Sequence, residues 1–247
     1  MKDLRLITIT LAMMTFVACG PIQRTRQSED TPVRTPETEN LLINLKKVSA
    51  RGFMFGHHDD TNYGIGWEGD EGRSDVKSVC GDYPAVISFD LGHIELGDTM
   101  SLDKVPFTKI RKEILNQYKR GGMSSLSWHL RNPLTGGDSW DVSDTTVVKS
   151  ILPGGANHEK FTGWVSKVSA FINSLQTEEG VKVPVLFRPW HEHTGSWFWW
   201  GEKLCTPEEY KALWHITVDI LRNDGVDNAL YACLLYTSPS PRDLSTS

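Results

Sequence analysis

A chain of 247 residues with a net charge of -5 and no long basic run is a poor partner for nucleic acid, because phosphate binding needs clustered Lys and Arg. Hydrophobic residues at 39% and charged residues at 23% are an ordinary globular balance, so one sizeable core is possible. The nine Trp are many for this length, and position must decide which are core and which offer a flat face to a ligand.

The chain opens with Lys2 and Arg5, then runs apolar from Leu6 to Ala18 apart from three Thr. That run is too short to span a membrane comfortably. Phe16-Val17-Ala18-Cys19 resembles a lipobox, so residues 1–19 read as a lipoprotein signal peptide with Cys19 lipidated. The expected location is the bacterial cell envelope, periplasm or outer-membrane surface, with the membrane reached through that anchor. Residues 20–38, rich in Pro, Thr, Glu and Arg, read as a flexible tether. With Cys19 assigned, Cys80, Cys205 and Cys233 remain; one disulfide is possible in an exported protein, and its pairing is open.

Beyond the tether, Phe53–Gly56 reads as a strand, followed by Ala85–Asp90, Met123–His129, Val183–Trp190 and Asn228–Tyr236. Lys104–Lys119 and Lys160–Leu175 between them carry apolar residues at helical spacing. Thr206-Pro207-Glu208-Glu209 is a helix start, with a capping Thr, Pro in the first turn and acids at the positive end. Strands alternating with helices argue for a parallel sheet. Polar and aromatic clusters stand at the strand ends, where a (β/α)8 TIM barrel places its chemistry. A doubly wound sheet would also alternate, but its Gly-rich first turn is missing. Residues 39–236 thus read as an incomplete barrel of about five βα units out of eight. The string 237–247 resembles translated sequencing adapter and reads as a non-native tail.

The strongest local signal is Arg188-Pro189-Trp190-His191-Glu192-His193-Thr194-Gly195-Ser196-Trp197-Phe198-Trp199-Trp200-Gly201. A carboxyl among apolar rings loses solvation, which favours the protonated form a general acid requires. Trp faces suit the C–H faces of sugars, so this is the composition of a glycoside-cleaving site. A salt-bridged Glu under a Trp-rich loop is the alternative. Zinc is disfavoured, since H-E-x-x-H would need His where Gly195 stands, and on an extended strand Glu192 would face away from His191 and His193. A second cluster, from Ser127 to Asp141, holds Trp128, His129, Asn132 and Trp140. His57-His58-Asp59-Asp60 reads as polar lining of a sugar cleft. No cofactor and no metal are expected.

Trp128-His129 with Asn132-Pro133, Arg188-Pro189 with His191-Glu192, and Trp197 together resemble glycoside hydrolase family 26, chiefly endo-β-1,4-mannanases. Phe55-Gly56-His57-His58-Asp59 and Ser88-Phe89-Asp90 are similar as well. The resemblance implies a (β/α)8 barrel and a retaining double displacement on internal β-1,4-mannosidic bonds of mannan, glucomannan or galactomannan. It makes Glu192 the general acid/base after strand four. It sets His191 and His129 in the subsite at the cleaved bond and Trp197 as a stacking ring, with Trp140 in another subsite. Trp128, Asn132, Arg188 and His57 are the remaining candidate substrate contacts. The family's nucleophilic Glu follows strand seven, whereas the predicted strands end at the fifth. Glu68, Glu71, Glu95 and Glu202 fall in early loops. A retaining enzyme needs two carboxyls about 5–5.5 Å apart, so this chain by itself is expected to be inactive.

Three other readings stay open. One is a non-catalytic glycan-binding lipoprotein using the same Trp surface. Another is a metal-dependent polysaccharide deacetylase or hydrolase built on His57, Asp59 and His191. The third is a sibling activity of the same family, β-1,3-xylanase or mixed-linkage glucanase.

Overall fold

The computed structural model describes residues 34–233. The signal peptide with Cys19 and the tail at 237–247 lie outside the described residues.

The first helix, α1 (Pro36–Ser49), starts where Thr35 accepts from the Thr38 amide, Pro36 fills the first turn, and Glu37 and Glu39 face the positive end. This corrects the tether expected through residue 38. The same Thr-Pro-Glu start that marks the helix at 206 stands at 35, and the Thr35 amide is tied to the Asp227 carbonyl at 3.1 Å. There follow β1 (Gly56–His58), a small antiparallel pair β2 (Tyr63–Gly64) and β3 (Trp67–Glu68), α2 (Asp75–Cys80) and β4 (Val86–Asp90). After them come α3 (Phe107–Lys119), β5 (Met123–Ser127), α4 (Val147–Ile151) and α5 (His158–Asn173). The last elements are β6 (Val185–Arg188), α6 (Pro207–Asn223) and β7 (Ala229–Tyr231).

One five-stranded sheet has the order β1-β4-β5-β6-β7, every neighbouring pair parallel. This is α/β architecture of the (β/α)8 kind with its wall open between β1 and β7. The first strand lies later than predicted: Gly56–His58 pair with Val86–Ser88, while Phe53 and Phe55 are exposed. Ile87, Phe89, Leu126, Val185 and Phe187 are fully buried in one core with Ile110 and Ile114 of α3, Val165, Val168 and Ile172 of α5, and Leu213 and Leu221 of α6. Strand residues alternate sides. The opposite set, Ser88, Asp90, Ser125, Ser127 and Arg188, therefore shares the inner face. The register then matters for chemistry, because it aligns Asp90 with Ser127 and Ser127 with Arg188 at the C-terminal strand ends.

α6 opens with a complete capping box, in which Thr206 accepts from the Glu209 amide and the Glu209 side chain accepts from the Thr206 amide. Cys80, Cys205 and Cys233 are all unpaired. No helix among the described residues is long and apolar enough to cross a membrane.

Candidate active site

The end of β6 turns sharply. Trp190 (φ 53°), Glu192 (φ 58°) and Ser196 (φ 58°) are all left-handed. Such residues cost about 1–3 kcal/mol each and persist only where surrounding bonds over-determine them. Here the Tyr210 hydroxyl donates to the Trp190 carbonyl at 2.7 Å, the Trp200 indole donates to the His191 carbonyl at 2.9 Å, and the Gly195 amide donates to the Glu192 carbonyl at 3.0 Å. A Cβ on Gly195 would lie 2.2 Å from the Trp197 ring, so only glycine fits the turn.

The turn sends three consecutive side chains to three places, which overturns the extended alternation expected from sequence. His191 points to His129, with their Nε2 atoms 3.1 Å apart. His193 stacks on Tyr210 at 3.7 Å and bonds the Trp200 carbonyl at 2.8 Å. Glu192 is half-buried, and its carboxylate accepts from the Trp197 indole at 3.0 Å.

Asp90 anchors the other wall. Its carboxylate accepts from Ser127 Oγ at 2.5 Å, the Gly92 amide at 2.7 Å, the His129 amide at 3.1 Å and His129 Nδ1 at 2.6 Å. Burial alone would push this carboxyl up, but the His129 ring and the other donors hold it well below the usual carboxylate range. His191 is pushed down to about 3 by burial and by the neighbouring His129 and Arg188, so its ring is neutral at ordinary pH. Arg188 is also lowered by burial, against the pull of Glu192 and Asp90.

The remaining candidates divide by exposure. Trp140, 50% exposed, stacks on His129 at 5.4 Å with 7° between the planes, and Trp197 is 37% exposed. Phe198, unremarked in sequence, fills the angle between His129, His191 and Trp140 at 5.1–5.4 Å. Trp128 departs from the expected substrate contact: it is fully buried, packs on Trp190 at 5.8 Å and donates to Glu95 at 3.0 Å. Asn132 is buried too, where its side-chain oxygen accepts from the Leu134 and Thr135 amides and its amide donates to the Asp141 carbonyl. These two shape the wall from behind. His57 is exposed on β1, its Nδ1 2.9 Å from the His58 carbonyl. Of the many Trp, 128, 164, 190, 199 and 200 are core.

His57, Asp59 and His191 do not come together as a metal-binding group. Among the described residues, His58, Asp59 and Asp103 bring their side-chain donor atoms within 4.8 Å of one another. Asp59 is buried and left-handed (φ 51°), and burial pushes its carboxyl up to about 6, against His58 and the 2.7 Å bond from Asn62. A raised folded value means the charged form is penalised in the fold, and that penalty grows as pH rises from about 4 through about 6. Asp59→Asn keeps the shape and tolerates the left-handed backbone. It is expected to raise stability by about 2 kcal/mol at neutral pH and to leave it unchanged near pH 4. Urea unfolding at both pH values checks this, and equal effects at both would sink it.

Residues 31–246 match the family described as glycosyl hydrolase family 26. The chain belongs to that family. Among solved structures of family 26, a beta-mannanase from Bacteroides ovatus superposes with TM-score 0.80 at 64% identity, over 81% of this chain and 58% of that one. A modular endo-beta-1,4-mannanase from Cellulomonas fimi superposes with TM-score 0.74 at 35% identity, over 82% and 46%. A mannan endo-1,4-beta-mannosidase of Bifidobacterium adolescentis is 35% identical over 204 residues, which are 80% of this chain and 20% of the relative. The chain therefore spans 58% or less of the length of these relatives.

Proposed function

We propose that residues 34–233 form the acid/base side of a retaining site that cleaves internal β-1,4-mannosidic bonds. The observation that carries this reading is the end of β6, where a half-buried Glu192 meets the Trp197 indole beside a neutral His191. The family membership and the mannanases it resembles support mannan as the substrate. In the first step Glu192 protonates the leaving oxygen. In the second, as a carboxylate, it draws a proton from the water that attacks the glycosyl-enzyme. The nucleophile is assigned to none of the described residues, and Glu95 is excluded because it is fully buried with both carboxylate oxygens taken.

The test joins residues 34–233 to the portion of the B. ovatus mannanase that they do not span. Reducing-sugar release from glucomannan is expected from the joined protein and only background from the 247-residue chain. Joined protein that folds and binds mannan without cleaving it would favour the glycan-binding alternative. Release from β-1,3-xylan or mixed-linkage glucan instead of mannan would favour a sibling activity.

The exposed rings give a second expectation. Trp197→Ala removes a sugar-stacking face and is expected to weaken manno-oligosaccharide binding by about tenfold or more, measured by calorimetry on the intact chain. Unchanged affinity would remove Trp197 from the subsite. Attachment to the cell envelope through lipid on Cys19 belongs to the same proposal. It rests on the sequence of residues 1–19, and loss of radiolabelled fatty acid from a Cys19→Ala protein tests it.

A further inference from the structure

Asp90 is only 2% exposed, so it cannot itself meet a polysaccharide. Two of its four donors come from one residue, the amide and the ring of His129. A main-chain and a side-chain bond to one carboxylate fix both the place and the rotation of that ring. The carboxylate is held in turn by Ser127, its neighbour in register, and by the Gly92 amide. A Cβ on Gly92 would lie 2.9 Å from Asp90 Oδ1 and 2.7 Å from the His129 carbonyl, so this cradle has room only for glycine.

An ionised carboxylate can only accept, which places a proton on His129 Nδ1. A histidine free in water prefers its proton on Nε2, so Asp90 holds the less common form. His129 Nε2 then faces His191 Nε2 at 3.1 Å, close enough for one shared proton. His191 directly precedes Glu192.

We propose that Asp90 is a positioning residue that acts through His129 to hold the His191 ring in one orientation at the position preceding the acid/base Glu192. This deepens the mannan-cleaving reading and rests on it for its purpose, though its geometry can be tested apart from it.

The test labels the histidines of the full chain with nitrogen-15 and reads ring protonation by NMR, with mannotriose as the binding probe. In the wild type, His129 is expected to carry its proton on Nδ1 and His191 to be neutral at pH 7. Asp90→Ala is expected to move the His129 proton to Nε2 and to weaken mannotriose binding about tenfold. Asp90→Asn keeps its oxygen on the Gly92 and His129 amides and so turns an NH2 donor toward His129 Nδ1. It is expected to move the proton to Nε2 and weaken binding likewise, and a retained Nδ1 proton in folded Asp90→Asn would overturn the proposal. A merely structural Asp90 would change stability and leave the tautomer alone. If Asp90→Ala fails to fold, the wild type and Asp90→Asn decide the matter. A wild-type His129 protonated on Nε2, or an unchanged tautomer in folded Asp90→Ala, would overturn the proposal. A wild type that shows the Nδ1 proton but binds no mannotriose would count against the mannan reading while supporting the role of Asp90.

Discussion

Glu192→Gln, made in the joined barrel, is expected to lower turnover of unactivated mannan by about 10²–10⁴-fold, the range that a positioned proton donor supplies. The substitution keeps the shape of the side chain, and its amide oxygen can still accept from the Trp197 indole at the 3.0 Å position, so the cleft wall should stand. The loss should depend on the leaving group. A sugar alkoxide leaves only with a proton, whereas a nitrophenolate leaves without one. The first step on a nitrophenyl mannobioside should therefore survive, while water attack in the second step loses its base. A burst of nitrophenol followed by slow turnover is the expected trace. Added azide, which needs no base, should restore turnover and yield a glycosyl azide of retained β configuration. Equal losses on mannan and on the nitrophenyl substrate, with no azide rescue, would remove Glu192 from the acid/base role.

Much of this frame was legible because its signals are local. Alternating apolar strands and amphipathic helices place β4, β5, β6, α3, α5 and α6 within a few residues of where they lie. Glu192 stood out because a carboxyl at a strand end among Trp is chemically unusual. What was not legible was which side each ring takes. Trp128 and Trp197 look alike in a sequence. One donates to a buried carboxylate behind the wall and the other to Glu192 in the cleft. Trp128 follows Leu126 onto the core side at the end of β5, whereas Trp197 is carried on a loop entered through the left-handed turns at Trp190 and Glu192, which no spacing rule foresees for non-glycine residues. Asp90 and His129 are 39 positions apart, and only the β4–β5 register makes them neighbours. The α1 start was readable, since Thr35-Pro36-Glu37 repeats the signal at Thr206, but the polar composition around it read as tether.

The largest stability effect is expected at Glu95, behind the wall of the cleft. Its carboxylate is fully buried, accepting from the Trp128 indole at 3.0 Å and from the Arg131 amide at 2.8 Å, and its own carbonyl accepts from Lys167 at 2.6 Å. Glu95→Ala would strand two donors and leave a void behind Trp128, a loss of about 3–5 kcal/mol. Glu95→Gln keeps the volume and one acceptor, so it should cost about half as much. Proton linkage separates the two effects. Burial raises the Glu95 carboxyl above its ordinary 4.5, partly offset by its two donors, so the wild type carries a charge penalty that sets in as pH rises above that value. Gln carries no such penalty. The gap between wild type and Glu95→Gln should therefore be widest near pH 4.5 and narrow toward pH 8, while Glu95→Ala stays well below both. Urea unfolding across that range measures all three proteins. A Glu95→Ala protein within about 1 kcal/mol of the wild type would mean that Trp128 is held by packing alone, and the wall behind Glu192 would owe nothing to this carboxylate.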